Sequence, residues 1–203
     1  MHIRRLAGLA AASLLLSHGL LAQNRSNTSK LSLTFGVNGT ALTSEDLDDD
    51  QQSGPGIHVG AGYGFSSRFA LFLDAHGANI KNETDDYTLS HFDVGLRFHF
   101  ANPNRVFVPY LEGSFTGRKA AFDDQNVDGD DDIDFEASGG GFSLGGGILY
   151  FFNPKWAFNA HVKWTGGEFS KVRAENVTIE GFEIDATTTR LGIGLTWFPT
   201  ASR

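Results

Sequence analysis

Alternation of apolar and polar residues is the feature of this chain that most constrains its fold. Near the end of the sequence, every second residue is large and apolar: Leu191, Ile193, Leu195 and Trp197. The residues between them are small or polar. Successive side chains of a β-strand project to opposite faces, so this run predicts a strand with one apolar and one polar face.

The same pattern occurs eight times, and outside the first 22 residues no stretch has a convincing helical period. The sequence therefore predicts an all-β fold. The predicted strands are Leu31–Leu42, Ile57–Phe65, Phe69–Asn79, Thr88–Phe100, Phe107–Arg118, Gly140–Phe152, Trp156–Thr165 and Thr187–Phe198.

The connections between these strands alternate in length. Short turns are predicted at 66–68, 101–105 and 153–155, whereas 43–56, 80–87, 119–139 and 166–186 are longer and polar. Short turns at one end and long loops at the other are typical of bacterial outer-membrane barrels. We therefore expect an eight-stranded, antiparallel, up-and-down barrel with both termini at the short-turn end.

The first 22 residues have the features of a secretory signal peptide. Arg4 and Arg5 precede a mainly apolar stretch over 6–21, and Ala22 is a small residue suited to a cleavage site. An uncleaved anchor is the alternative, but the apolar stretch is short and polar sequence follows at once. The predicted organisation is a signal peptide over 1–22 and a barrel domain over 23–203.

Charge and cysteine content exclude some classes of protein. The chain has 16 basic and 24 acidic residues, which argues against a nucleic-acid partner, because phosphate binding requires clustered lysine and arginine. It has no cysteine, so disulfides do not stabilise it. After residue 22 no apolar run reaches the roughly 18 residues of a spanning helix, whereas a barrel strand needs only about 9–11.

Alternation alone does not reveal whether the apolar face points outward, because a soluble lipocalin-like barrel alternates with its apolar face inward. Trp156 and Trp164 lie on one apolar face eight residues apart, or roughly 21 Å along a strand tilted by about 40°. This is close to the apolar band of about 25 Å between two aromatic girdles. Five of the six lysines fall in turns, loops or strand ends. We therefore predict a transmembrane barrel, with Trp156, Trp164 and Trp197 as lipid-girdle aromatics.

Three segments of the chain resemble the eight-stranded outer-membrane barrel family that includes the OmpA membrane domain and the OmpX-like proteins. They are the leader, the run from Pro109 to Gly113 and the closing run from Arg190 to Phe198. The resemblance implies a porin-family cell-envelope protein of the Gram-negative outer membrane, without a cofactor. It also implies a monomer that contacts outer-membrane lipids, lipopolysaccharide and the barrel-assembly machinery. The expected role is non-enzymatic, either structural or in surface interaction. A narrow, OmpW-like solute channel and a lipid-modifying enzyme are the alternatives.

Titratable residues concentrate on the predicted inward face. An eight-stranded barrel is just wide enough inside for side chains, so we expect a polar plug of paired charges. A transition-metal site would require three or four of these side chains to converge. The lumen polar network is predicted to contain His58, Asp74, His76, His91, Asp93, Arg97, Glu112, His161, Lys163 and Arg190, with His99 on the same face. No catalytic residue is predicted.

The loop over 119–139 is the candidate calcium site. Asp124, Asn126, Asp128 and Gly129 match positions one, three, five and six of a calcium loop, and Asp130 and Asp132 follow. The match fails at position twelve, where Phe135 stands and Glu136 comes one residue late. The alternatives are specific Ca²⁺ binding, a solvated acidic loop, and a loop that meets lipopolysaccharide through bridging cations.

Overall fold

The computed structural model describes residues 28–44, 52–81, 86–100, 105–125, 133–174 and 177–200. These residues form a closed antiparallel barrel of eight strands, as predicted. The strands are β1 (Lys30–Ser44), β2 (Gln52–Gly64), β3 (Phe69–Ile80), β4 (Tyr87–His99), β5 (Phe107–Gln125), β6 (Ile133–Asn153), β7 (Trp156–Ala174) and β8 (Val177–Trp197). The predicted signal peptide, residues 1–22, lies outside this part of the chain.

Closure is made between the first and last strands. β1 pairs with β8 from Leu33 opposite Trp197 to Ser44 opposite Ala186, and every other pairing joins consecutive strands. A closed barrel leaves no sheet edge with unpaired backbone groups, and such closure is required for a β-structure in a bilayer. None of the described residues forms a helix long and apolar enough to cross a membrane.

The outer face of the barrel is apolar, as the alternation predicted. Ile57 is 67% exposed, Phe115 77% and Leu191 65%, although each is large and hydrophobic. The intervening polar residues are buried inside, including Lys163 and Arg190 at 1% exposure or less. This inversion of the usual distribution in soluble proteins rules out the lipocalin-like alternative, because apolar side chains face the surroundings and charges face the interior.

Two of the predicted short turns are fixed by side-chain acceptors. The hydroxyl of Ser66 accepts hydrogen bonds from the backbone of Arg68 and Phe69, at 3.2 and 3.0 Å. Asn153 Oδ1 accepts from the backbone of Lys155 and Trp156, at 2.8 and 2.9 Å. Such bonds satisfy backbone donors within a tight turn, which explains why these residues interrupt the strands. Most of the third predicted turn, 101–104, lies outside the described residues.

Two predicted long loops are largely strand. β5 continues to Gln125 and β6 begins at Ile133, so most of the segment 119–139 is paired. β7 continues to Ala174 and β8 begins at Val177, so the predicted loop over 166–186 is mainly a hairpin. The predicted strands were only as long as a bilayer crossing requires, but backbone pairing continues beyond that length. The first loop is also shorter than predicted, because β1 reaches Ser44 and β2 begins at Gln52.

Arginine substitution on the outer face should reveal the depth of the bilayer. Ile193 is half-exposed and pairs with Ala160, midway between Trp156 and Trp164. We expect Ile193→Arg to lower the free energy of unfolding in lipid vesicles by about 2–4 kcal/mol, because the charge faces hydrocarbon. Leu31→Arg, near the short-turn end, should cost about 0–1 kcal/mol. Equal costs in urea unfolding experiments would contradict the assigned membrane position.

Candidate functional site

Six charged side chains from five strands meet in the middle of the lumen. All six belong to the predicted polar network, and all are buried except Asp74, which is half-buried. They are Asp74 of β3, Asp93 and Arg97 of β4, Glu112 of β5, Lys163 of β7 and Arg190 of β8. Strand alternation directs each of them inward, and the small circumference of the barrel brings them within reach of one another.

Lys163 is the centre of this charged network. Its Nζ lies 2.9 Å from Glu112 Oε1, 3.1 Å from Asp93 Oδ2 and 3.5 Å from Asp74 Oδ2. One ammonium group therefore contacts carboxylates from β3, β4 and β5. Because β7 lies across the barrel from β3, these contacts connect strands that do not pair with each other.

Two arginines complete the neutralisation of the carboxylates. Arg190 contacts both oxygens of Asp93, with Nη1 2.9 Å from Oδ2 and Nη2 3.3 Å from Oδ1. Arg97 donates to Glu112 Oε2 from Nη2 and Nε, at 2.7 and 2.8 Å. The network therefore balances three cations against three carboxylates. Such balance is needed here, because an unpaired charge buried in the lumen would be strongly destabilising.

A chain of hydroxyl groups extends the charged network around the barrel wall. Thr116 Oγ1 donates to Asp93 Oδ1 and bonds with Ser143, which in turn bonds with Thr165 at 2.6 Å. Thr165 Oγ1 accepts from Arg190 Nη2 at 2.8 Å. We did not identify these hydroxyls from the sequence, although their inward position follows from strand alternation.

Apolar clusters close the lumen on both sides of the charged network. One lies at the short-turn end and consists of Val108, Tyr110, Leu149, Phe151, Ala157 and Phe198. The other lies at the long-loop end and consists of Ala78, Ile80, Tyr87, Leu89, Ala120, Phe169 and Ala186. The inward face was predicted to be polar, so neither apolar cluster was expected from the sequence. Residues of the second cluster were also assigned to loops.

Arg118 is a further buried charge that the sequence analysis left out of the network. Its Nη1 donates to the backbone carbonyl of Ala186 at 2.8 Å, and its guanidinium lies 4.8 Å from the ring centroid of Phe169. The prediction ended the fifth strand at this residue. Because β5 continues beyond it, Arg118 lies inside the barrel beneath the long-loop cluster.

The histidines predicted for the network are buried in the lumen, but three of them form a group of their own. The ring centroids of His58 and His76 are 5.4 Å apart, and those of His58 and His161 are 4.8 Å apart. His76 Nε2 lies 3.5 Å from Asp93 Oδ2, which is the contact between this group and the charged network. His91 and His99 are also buried.

The three tryptophans lie on the lipid-facing side of the wall. Trp156 stacks on Trp197 with their ring centroids 6.0 Å apart, near the short-turn end. Trp164 is 48% exposed and lies eight residues further along β7. The aromatic positions therefore lie at two heights, as expected for two girdles.

The calcium prediction falls mainly outside the described part of the chain. Asp124 lies in β5, but the placement of its side chain is not described. Asn126, Asp128, Asp130 and Asp132 are all outside the described ranges. Calcium binding by this loop therefore stays a prediction.

Comparison with known proteins identifies the family. The family model for the outer membrane protein beta-barrel domain matches residues 8–197. No curated protein matches the sequence of this chain.

Solved structures of outer-membrane proteins are similar in fold. Neisserial surface protein A has a TM-score of 0.63 and 14% identity, covering 82% of this chain and 96% of its own. OprG from Pseudomonas aeruginosa has a TM-score of 0.53 and 15% identity, with coverage of 85% and 97%. Ail of Yersinia pestis has a TM-score of 0.50 and 13% identity, with coverage of 84% and 100%. At these identities the similarity concerns the fold alone.

Removal of the central ammonium group should destabilise the barrel severely. In Lys163→Met, three carboxylates remain with only two guanidinium groups, and we expect a loss of about 3–5 kcal/mol in unfolding free energy. Lys119→Met is the matched control, because Lys119 forms an exposed ion pair with Glu136 and should cost less than about 1 kcal/mol. Urea unfolding in detergent micelles measures both, and similar losses would contradict the central role of Lys163.

Proposed function

The chain belongs to the outer membrane protein β-barrel family, and we propose that it is a closed, non-enzymatic barrel that presents an interaction surface outside the cell. Its localisation is the bacterial outer membrane, in agreement with its family and with the proteins of similar structure. The finer role is our proposal and rests on the shape of its external half and on the filling of its lumen.

The observation that carries this proposal is a wall of four strands that extends beyond the membrane span. β5, β6, β7 and β8 have 19, 21, 19 and 21 residues, whereas crossing requires about 9–11. Beyond Trp164, β7 continues for ten residues to Ala174, which rise roughly 26 Å at the usual spacing and tilt. Exposed side chains on this wall include the charged Lys119, Glu168 and Arg173, and Glu136 is partly exposed, although the apolar Phe135 is exposed there too. A projecting sheet of this kind can hold the loops at its end in position for a partner.

The filled lumen argues against the alternative of a narrow solute channel. The charged network occupies the middle of the barrel, and an apolar cluster lies on either side of it. The inward glycines by themselves favoured a channel, but several of them are overlaid by neighbouring side chains. A Cβ added at Gly60 would collide with the carboxylate of Asp74, and one at Gly147 would lie 2.7 Å from the Tyr110 hydroxyl.

The arrangement of hydroxyls and imidazoles supports a non-enzymatic role. Thr116, Ser143 and Thr165 bond to one another and to the charged network. Among the residues that the structure describes, neither ring nitrogen of His58 or His161 has a hydrogen-bond partner, so neither imidazole is paired with a hydroxyl as a general base. Of the three candidate roles, that of a lipid-modifying enzyme has the least support.

Electrical recording tests the closed barrel against the channel. We expect the refolded mature protein to show no sustained current in a planar bilayer at neutral pH, because paired charges and two apolar clusters block the lumen. Heat-modifiable gel mobility of the same sample confirms that the barrel is folded. A sustained open state in single-molecule recordings would contradict the proposal and favour the channel.

The proposed surface role includes outer-membrane lipids and lipopolysaccharide as neighbours, assembly by the barrel-assembly machinery, and a monomeric state. Calcium bridging between the acidic loop and lipopolysaccharide is part of this proposal. We expect calorimetry to show weak Ca²⁺ binding, with a dissociation constant of about 10⁻⁴–10⁻³ M, because the bidentate glutamate is missing at the usual position. The control is the Asp124→Ala/Asp128→Ala variant. Identical Ca²⁺ heats in both proteins would leave only a solvated acidic loop.

A further inference from the structure

Three buried histidines, two from the paired strands β2 and β3 and one from the distant strand β7, converge in the lumen. They are His58 of β2, His76 of β3 and His161 of β7, and we refer to them as the histidine triad. One ring nitrogen of each lies within 4.8 Å of the corresponding nitrogens of the other two. All three residues are at most 7% exposed.

Glycines on the intervening strands make this convergence possible. β8 and β1 lie between β7 and β2 in the barrel, and they present Gly192 opposite His161 and Gly36 opposite His58. A Cβ at Gly192 would lie 2.6 Å from His161 Nε2, and one at Gly36 would lie 2.5 Å from His58 Cε1. Any larger residue at either position would therefore displace an imidazole, so the glycines leave room for the two rings to meet in an edge-to-face arrangement, with 87° between their planes.

The ring nitrogens of the triad lack the partners that buried polar groups normally have. Within the described part of the chain, none of the six nitrogens makes a hydrogen bond. Most buried polar side-chain atoms in proteins are hydrogen-bonded, and leaving one unpaired costs about 1–3 kcal/mol. Apart from the 3.5 Å contact between His76 Nε2 and Asp93, the three adjacent imidazoles lack polar partners, and a bound ligand that accepts their lone pairs would supply them.

We propose that the histidine triad binds one divalent transition-metal ion of the zinc class. Imidazole nitrogen is a preferred ligand of zinc, copper and nickel, whereas calcium and magnesium select oxygen. Zinc–nitrogen bonds of about 2.0–2.1 Å place tetrahedral ligand nitrogens roughly 3.3 Å apart. The triad reaches this separation by small rotations of its side chains, and a water molecule completes the coordination.

The surroundings of the triad are compatible with a bound dication. Asp93 Oδ2 lies 3.5 Å from His76 Nε2, in a position to orient that ring. The charged network itself balances three cations with three carboxylates, and Arg118, which bonds to the carbonyl of Ala186, is a further buried cation on the long-loop side. The metal would connect β7 with β2 and β3 across the lumen, in addition to the backbone pairing. This proposal does not depend on the proposed surface role.

Metal binding by the triad is measured on the full mature protein refolded in detergent micelles. The sample is stripped with a chelator and dialysed against micromolar Zn²⁺ with millimolar Ca²⁺, so that Ca²⁺ competes with Zn²⁺ for the carboxylates of the acidic loop. We expect one Zn²⁺ per chain by elemental analysis. His58→Gln and His161→Gln should each weaken binding by more than the roughly 10–100-fold that results from changes in outer-shell partners. His99→Gln is the matched control, since His99 is equally buried in the lumen but outside the triad.

Two further measurements separate the metal site from a purely structural role. Co²⁺ should give the visible absorption of a low-coordinate nitrogen site in the wild type and in His99→Gln, but not in the triad variants. Zn²⁺ should raise the urea midpoint of the same two proteins only, and heat-modifiable mobility shows that every variant is folded. The proposal is overturned if the wild type binds no Zn²⁺, or if the folded triad variants bind as much Zn²⁺ as the wild type.

Discussion

The ammonium group of Lys163 lies among three carboxylates at the centre of the barrel, and the interior is arranged around these contacts. They extend from β7 to β3, β4 and β5, which lie across the lumen from it. On the outer face, apolar side chains meet lipid tails of similar polarity, so the hydrophobic effect contributes little to holding one strand against another there. Backbone pairing and the polar contacts inside the lumen therefore carry more of the stability than they would in a soluble barrel.

The apolar clusters at both ends strengthen this arrangement. They help to bury the charged network, of which only Asp74 is partly exposed, and a low local dielectric makes both the ion pairs and any unpaired charge energetically larger. The hydroxyl chain from Thr116 to Thr165 then supplies the remaining donors and acceptors around Asp93 and Arg190. The charged network and the apolar clusters that stabilise the barrel also block a path for solutes. Stability and the proposed surface role therefore have a common structural cause.

Much of this structure could be predicted from the sequence. The alternating segments give the number of strands, and the alternation shows which side chains point into the lumen. Arg190 and Lys163 were placed inside by alternation alone, and the family resemblance was confirmed over residues 8–197. The lengths of β5 to β8 were underestimated, because polar residues beyond the bilayer continue to pair in a sheet. The specific partners within the lumen could not be predicted, because contacts across the barrel depend on its register and curvature. For the same reason, the convergence of His161 with His58 was not apparent from the sequence.

A double-mutant cycle between Lys163 and Glu112 tests whether the buried charges of the lumen stabilise the barrel by compensating one another. The unfolding free energies of Lys163→Met, Glu112→Gln and the double variant are compared with that of the parent protein. We expect the double variant to be more stable than the sum of the single losses implies, with a coupling of about 1–3 kcal/mol. Additive losses within about 0.5 kcal/mol would show that the two buried charges act independently, and would contradict the account.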